Sequence, residues 1–252
     1  LFATLADGIS ELLETLEKRV AATATIRKGT PIESIAPDRP DGPYRLEFPS
    51  GPPEDFDAIV LALPAHRAAG LVENFAPAWA RALERIEYAS SAIVVSGHKL
   101  ADVRHPLDAF GLVVPATERR RILAVSFTSR KFPNRAPEGC VQLRTFVGGA
   151  MQPELYGLSD EEICTVVREE LSELLGVTRP ADFMIVARYP QAMPQYHVGH
   201  LDLVAEIESL AAGFPQLALA GNAYAGVGIP DCIHSAELAA ERLEATAKTS
   251  AG

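Results

Sequence analysis

The chain has 252 residues, 48% of them apolar and 22% charged, a balance that excludes a disordered segment and allows one large or two ordinary cores. Its 23 lysines and arginines stand against 33 aspartates and glutamates, and the formal net charge of -10 excludes a general surface for nucleic acid or anionic lipid. The three cysteines, Cys140, Cys164 and Cys232, form no CxxC pair, so neither a disulfide framework nor a metal site is expected and a reducing, cytoplasmic setting fits best. No apolar run is long enough to span a bilayer, and the start at Leu1 without a signal-peptide pattern points to a piece of a longer protein.

In chain order, DGISELLETLEKRV (7–20) places Ile9, Leu12, Leu13, Leu16 and Val20 on one helical face, with Asp7 as the expected cap. TPIESIAP and PYRLEF, separated by DRPDG, predict a hairpin, and FDAIVLALP predicts a strand buried on both faces of a sheet. Helical patterns follow at about 65–73 and 77–87. Four β-rich segments, SSAIVVSGHK, AFGLVVP, RILAVSF and CVQLRTFVGG, predict an antiparallel or mixed sheet. SDEEICTVVREELSELLG is an amphipathic helix with Ser159 and Glu162 spaced as a capping box. A strand near 181–189, a helix near 201–212 and the short strand LALAG lead into the last segment, GNAYAGVGIPDCIHSAELAAERL.

That last segment sets Gly221, Gly226 and Gly228 ahead of a helix in which Pro230 takes the first position and Asp231 the first turn. Ile229, Ile233, Ala236, Ala240 and Leu243 recur as one helical face expected to be buried. A helix start presents unpaired N–H groups, so an anion or an electron-rich ring edge is a natural neighbour; a plain strand-to-helix turn is the competing reading. Strands such as AIVLALP and LALA usually belong to a doubly wound sheet whose first βαβ unit carries GxGxxG. No GxGxxG occurs in these 252 residues. Either the glycine stretch is only a turn, or it is the second half of a nucleotide site whose first half lies elsewhere.

The pieces DGISELLETL, GTPIESI, FDAIVLALPAH, FGLVVP, FPNRAPEG, LRTFVGGA, MPQYHVGH and GNAYAGVGIPDCI resemble, in order, the C-terminal half of the protoporphyrinogen and coproporphyrinogen oxidases, flavoenzymes of the amine-oxidase superfamily. The resemblance runs from about residue 2 to 243, and MPQYHVGH and GVGIPDCI are its most specific motifs. It implies an α/β fold with an α+β insert: a connecting helix at 1–21, a partial doubly wound FAD-binding domain at 22–72 and 186–252, and a mixed-sheet substrate-binding domain at 73–185. For FAD it implicates Ile32 beside the adenine, Leu201 near the flavin, and Gly221, Val227, Gly228 and Ile229 at the glycine turn. For the tetrapyrrole it implicates Val113, Ser126 and Phe146, with Ser126 standing where a larger apolar residue is usual. No catalytic base is implied, and His197 and His200 lack the partners of a metal site.

The basic run Arg119, Arg120, Arg121, Arg130, Lys131 and Arg135 could bind substrate propionates or form a solvated face. The implied activity is FAD-dependent, oxygen-using oxidation of a porphyrinogen in heme biosynthesis. The expected partners are the porphyrinogen, molecular oxygen, an N-terminal half in the same or a separate chain, through which any contact with the cytoplasmic membrane face would run, and a second copy of the chain. The alternatives are a non-catalytic module that binds porphyrin or a partner, and another flavin amine or carotenoid oxidoreductase.

Overall fold

Periodicity becomes structure in the following order. In the computed structural model, which describes residues 4–39 and 42–250, helix α1 (Ser10–Ala21) leads to strands β1 (Ser34–Pro37), β2 (Tyr44–Glu47), β3 (Glu54–Phe56) and β4 (Ile59–Leu61). Helices α2 (Ala65–Val72) and α3 (Pro77–Glu84) come next, then β5 (Tyr88–Lys99), β6 (Gly111–Val113), β7 (Ala124–Phe127), the short α4 (Thr128–Lys131) and β8 (Cys140–Gly148). The chain closes with α5 (Pro153–Tyr156), α6 (Asp160–Leu175), β9 (Phe183–Pro194), α7 (His200–Ala211), β10 (Leu217–Leu219) and α8 (Ile229–Ser250).

Two hydrophobic cores organise these elements. The first gathers Ile35, Tyr44, Trp79, Leu83, Ile207 and Leu217, uniting α2, α3 and α7 with the antiparallel sheet β1-β2-β3 and the parallel pair β10-β4. Trp79 stacks on Phe214 with ring centroids 5.9 Å apart and planes 8° apart. The second core lies under the sheet β6-β7-β8-β5-β9, whose Val94, Val125, Leu143 and Val147 meet Ile163, Val167, Leu171 and Leu175 of α6. Alternation explains the division: one set of strand residues reaches α6, and the other set faces away from it. Ser159 and Glu162 form the capping box anticipated for α6, and Gly176 closes the helix in a left-handed conformation at φ 63°.

Several expectations change. All neighbours in the five-stranded sheet run antiparallel, so it is not mixed. Residues 77–84 pack in the first core and β9 stays in the sheet to Pro194, so the expected boundaries at 73 and 186 fall inside packed units; the cores part near Tyr88 and after Pro194. Asp7 does not cap α1, because Gly8 and Ile9 intervene and place it too early to reach the first turn; the cap position is Ile9, without a side-chain bond. FDAIVLALP is broken between β3 and β4, and Val60 is 41% exposed, beside Ala218 on a face that α8 covers only in part. Pro230 occupies the second helical position of α8, not the first. The predicted face of α8 is covered only at its far end: Ile229 and Ile233 are each 52% exposed, whereas Leu243 packs with Ala239 against Ala218 and Ala220. Among the described residues no helix is long and apolar enough to cross a membrane.

Candidate functional site

The glycine turn between β10 and α8 is built around three backbone N–H groups and their acceptors. Gly221, at φ 130°, donates to Ser235 Oγ at 3.1 Å, and the position its Cβ would take has nothing within 4 Å. Only glycine adopts that backbone easily, and its bare face is open to a flat group. Gly226 N–H donates to Tyr196 Oη at 2.9 Å, while Tyr196 Oη donates to the Asn222 carbonyl at 2.8 Å. The Tyr196 ring stacks on His200, with centroids 3.9 Å apart. MPQYHVGH and NAYAGVGIP, distant in sequence, thus meet through one tyrosine.

Gly228 N–H donates to Asp231 Oδ2 at 3.0 Å, and a Cβ on Gly228 would stand 2.8 Å from that oxygen. The positive end of α8 is therefore already partly answered by its own carboxylate, which weighs against a free anion as its neighbour. Val227 and Ile229 are half exposed beside it, and Leu201, at the start of α7, is 76% exposed. These side chains suit the apolar surface of a ring better than a free anion. Buried in the floor, the Tyr224 hydroxyl and His200 Nε2 have no hydrogen-bond partner among the described residues, and burial pushes the Tyr224 phenol well above its ordinary range. Tyr224 and Ala225 line a cleft of about 210 Å³ toward α7 and α8, and also the open groove along Tyr196, His200 and Leu201. Ile32 sits two residues before β1 rather than within it, half-buried against the core that also contains Ala223 and Tyr224.

The second region is the sheet face turned away from α6. Cross-strand register aligns Val113, Ala124, Phe146, Ile93 and Ala187 in one row, and Gly111, Ser126, Arg144, Val95 and Ile185 in the next. Directly opposed residues share a face, so Val113, Ser126 and Phe146, separate in the sequence, lie on one surface. Val113 is 81% exposed, and Phe183 lies across Gly97 on the same surface, where any Cβ would meet its ring at 2.3 Å. The face is apolar and open, and within it the Arg144 guanidinium lies over the Phe146 ring at 5.7 Å.

The basic run does not reach this surface as a group. Arg120 binds Glu170 at 3.0 Å and Glu173 at 2.8 Å, and Arg121 pairs with Glu169 and donates its N–H to Glu170 at 3.0 Å. These partners belong to α6, behind the sheet, so the propionate reading of Arg120 and Arg121 is withdrawn. Arg130 and Arg135 are held by the Leu107 and Leu5 carbonyls at 3.3 Å and 2.9 Å. Residue reading missed Arg144 and Tyr196. Arg144 had a signal, since it interrupts an apolar face two residues before Phe146; Tyr196 had none, because its partners are backbone atoms. His197 pairs with Glu87 at 3.2 Å, and no group of three His, Cys, Asp or Glu side chains gathers as a metal site among the described residues.

Comparison with known proteins gives the family of the chain. A family profile described as flavin containing amine oxidoreductase matches residues 2–243. The coproporphyrinogen III oxidase of Bacillus subtilis is 33% identical over 239 residues, covering 94% of this chain and 50% of its own length. The chloroplastic protoporphyrinogen oxidase of Nicotiana tabacum is 31% identical over 195 residues, covering 73% of this chain and 36% of its own length. The crystal structure of a protein from Exiguobacterium sp. 255-15 named "Putative protoporphyrinogen oxidase" superposes with a TM-score of 0.81 at 31% identity, covering 96% of this chain and 52% of the other. The chain spans about a third to a half of the length of the curated relatives it matches.

Proposed function

The chain belongs to the flavin-containing amine oxidoreductase family, and from that premise we propose that it serves the FAD-dependent, oxygen-using oxidation of a porphyrinogen to a porphyrin. The observation that carries the substrate is the common face of Val113, Ser126 and Phe146, an open apolar surface broad enough for a flat macrocycle. Coproporphyrinogen III is favoured over protoporphyrinogen IX, because the coproporphyrinogen III oxidase of B. subtilis aligns over 94% of the chain and the tobacco protoporphyrinogen oxidase over 73%. FAD, when bound, supplies the electron acceptor that oxygen regenerates. The chain's own contribution is position: Val113 and Phe146 press on the ring, and Val227, Ile229 and Leu201 offer apolar contact to the flavin beside the bare backbone of Gly221. Asp231 holds the Gly228 N–H and so fixes the turn that carries these contacts.

In this reading the first core and α8 are parts of the FAD-binding domain, Ile32 lies beside the adenine, and the five-stranded sheet with α6 is the substrate-binding domain. The remainder of such an enzyme, in the same or a separate polypeptide, packs on the apolar faces of α1 and α8. The test is oxidation of coproporphyrinogen III and protoporphyrinogen IX in air by the full-length protein, followed by porphyrin fluorescence, before and after removal and return of FAD. Porphyrin formation that depends on FAD is expected, faster with coproporphyrinogen III. Porphyrin binding with no formation above the autoxidation rate would favour a non-catalytic module instead.

A further inference from the structure

Several arginines among the described residues pair with acids, Arg27 with Glu54, Arg45 with Asp55, Arg85 with Glu206, Arg120 and Arg121 with α6, and Arg188 with Asp160, while others such as Arg19, Arg67 and Arg81 are exposed to solvent. Arg144 differs. It is half-buried in an apolar surface, lies over Phe146, and makes no ion pair among the described residues. A partly desolvated cation without a counter-charge is costly, and an anion arriving beside it would relieve that cost. Directly opposite in the register stands Ser126, a hydroxyl donor where an apolar side chain would have continued the surface.

We propose that Ser126 and Arg144 together seat one carboxylate of the substrate. This rests on the porphyrinogen reading above and deepens it. A guanidinium offers two parallel donors to a carboxylate, and the cation–π contact with Phe146 holds its plane in place while the serine adds a third donor from the facing strand. Two residues along a strand advance about 7 Å. The seat therefore lies one side-chain row from Val113 and Phe146, the offset that a carboxylate on a short flexible arm needs when its ring rests on those two residues. In this arrangement a single strand arginine, and none of the loop arginines, receives the carboxylate.

The test compares binding of coproporphyrin III and of its tetramethyl ester, the same ring without charges, to the full-length protein by fluorescence titration. For Arg144→Gln, affinity for the acid is expected to fall about tenfold or more while affinity for the ester stays within about twofold. Arg144→Lys should recover part of the loss, and Ser126→Leu should weaken the acid about threefold and leave the ester unweakened. Thermal melts of each variant report whether the fold is kept. An unchanged affinity for the acid in a folded Arg144→Gln protein, or equal weakening of acid and ester, would overturn the seat and leave Arg144 a packing residue. If the unaltered protein binds neither ligand, the porphyrinogen reading itself fails, and the seat with it.

Discussion

At the scale of single residues, the glycines of the final turn are not equivalent. Gly226, at φ 154°, would place a Cβ 2.5 Å from the Asp231 carboxylate, in a backbone region that side chains rarely adopt. Gly228 has no such backbone requirement, and its Cβ would meet only the flexible end of Asp231. Gly226→Ala should therefore cost about 1–3 kcal/mol, whereas Gly228→Ala should cost less than about 1 kcal/mol; urea unfolding of both variants checks the order. His98 supplies a pH-dependent prediction. Its ring is buried, Nε2 meets Ser96 Oγ at 2.9 Å and Nδ1 has no partner among the described residues; burial holds its pKa below the ordinary histidine value, with Asp182 and Asp102 pulling the other way. Because the folded state resists protonation, the unfolded chain binds the extra proton as pH falls through about 6.5. This contribution to stability is complete above that pH and is lost below it. His98→Gln should flatten the decline in melting temperature between about pH 7.5 and 5, and an unchanged slope would show that His98 is not responsible.

Among the elements, α6 shows what a sequence can disclose and why. Its 3.6-residue apolar stripe and its Ser159–Glu162 box are local properties, and both appear in the structure as anticipated. Its pairing with Arg120 and Arg121 is not local, since some fifty residues separate the partners, so the sequence left the basic run open between substrate and solvent, whereas these two arginines clasp a loop to a helix. Strand alternation likewise gave the strands but not their order, and only the order sets Ser126 against Arg144 and Val113 in line with Phe146. The first turn of α8 was legible from Asp231, yet the carboxylate's grip on Gly228 was not. Replacing Arg119, Arg120 and Arg121 together by alanine should accordingly lower the melting temperature, because Glu170 would be left buried without its cation, and should leave KM for a porphyrinogen unchanged. A raised KM at unchanged stability would return those arginines to the substrate.

For the molecule as a whole, the distribution of apolar surface is the property that most needs a cause. Helix α1 has no buried residue, although Ile9, Leu12, Leu13, Leu16 and Val20 form a continuous stripe. Helix α8 leaves Ile229, Ile233 and Leu238 exposed, close in the fold to the two-stranded pair β10-β4 with its exposed Val60. Exposed apolar surfaces of this kind mark interaction sites, and the proposed function assigns them to the remainder of an enzyme about twice this length. A polypeptide of these 252 residues alone should then bind an environment-sensitive apolar dye and retain no FAD, since it carries no GxGxxG turn for the pyrophosphate. Leu13→Glu and Ile233→Glu are the discriminating changes. In the isolated polypeptide both side chains are solvated, so neither should shift the melting temperature by more than a degree or two, and dye binding should fall. In the full-length protein each would bury a charge against apolar surface, at a cost of several kcal/mol, and should lower stability or FAD occupancy. Equal, small effects in both settings would mean that nothing covers these faces, and the assignment of α1 and α8 to an internal interface would be lost.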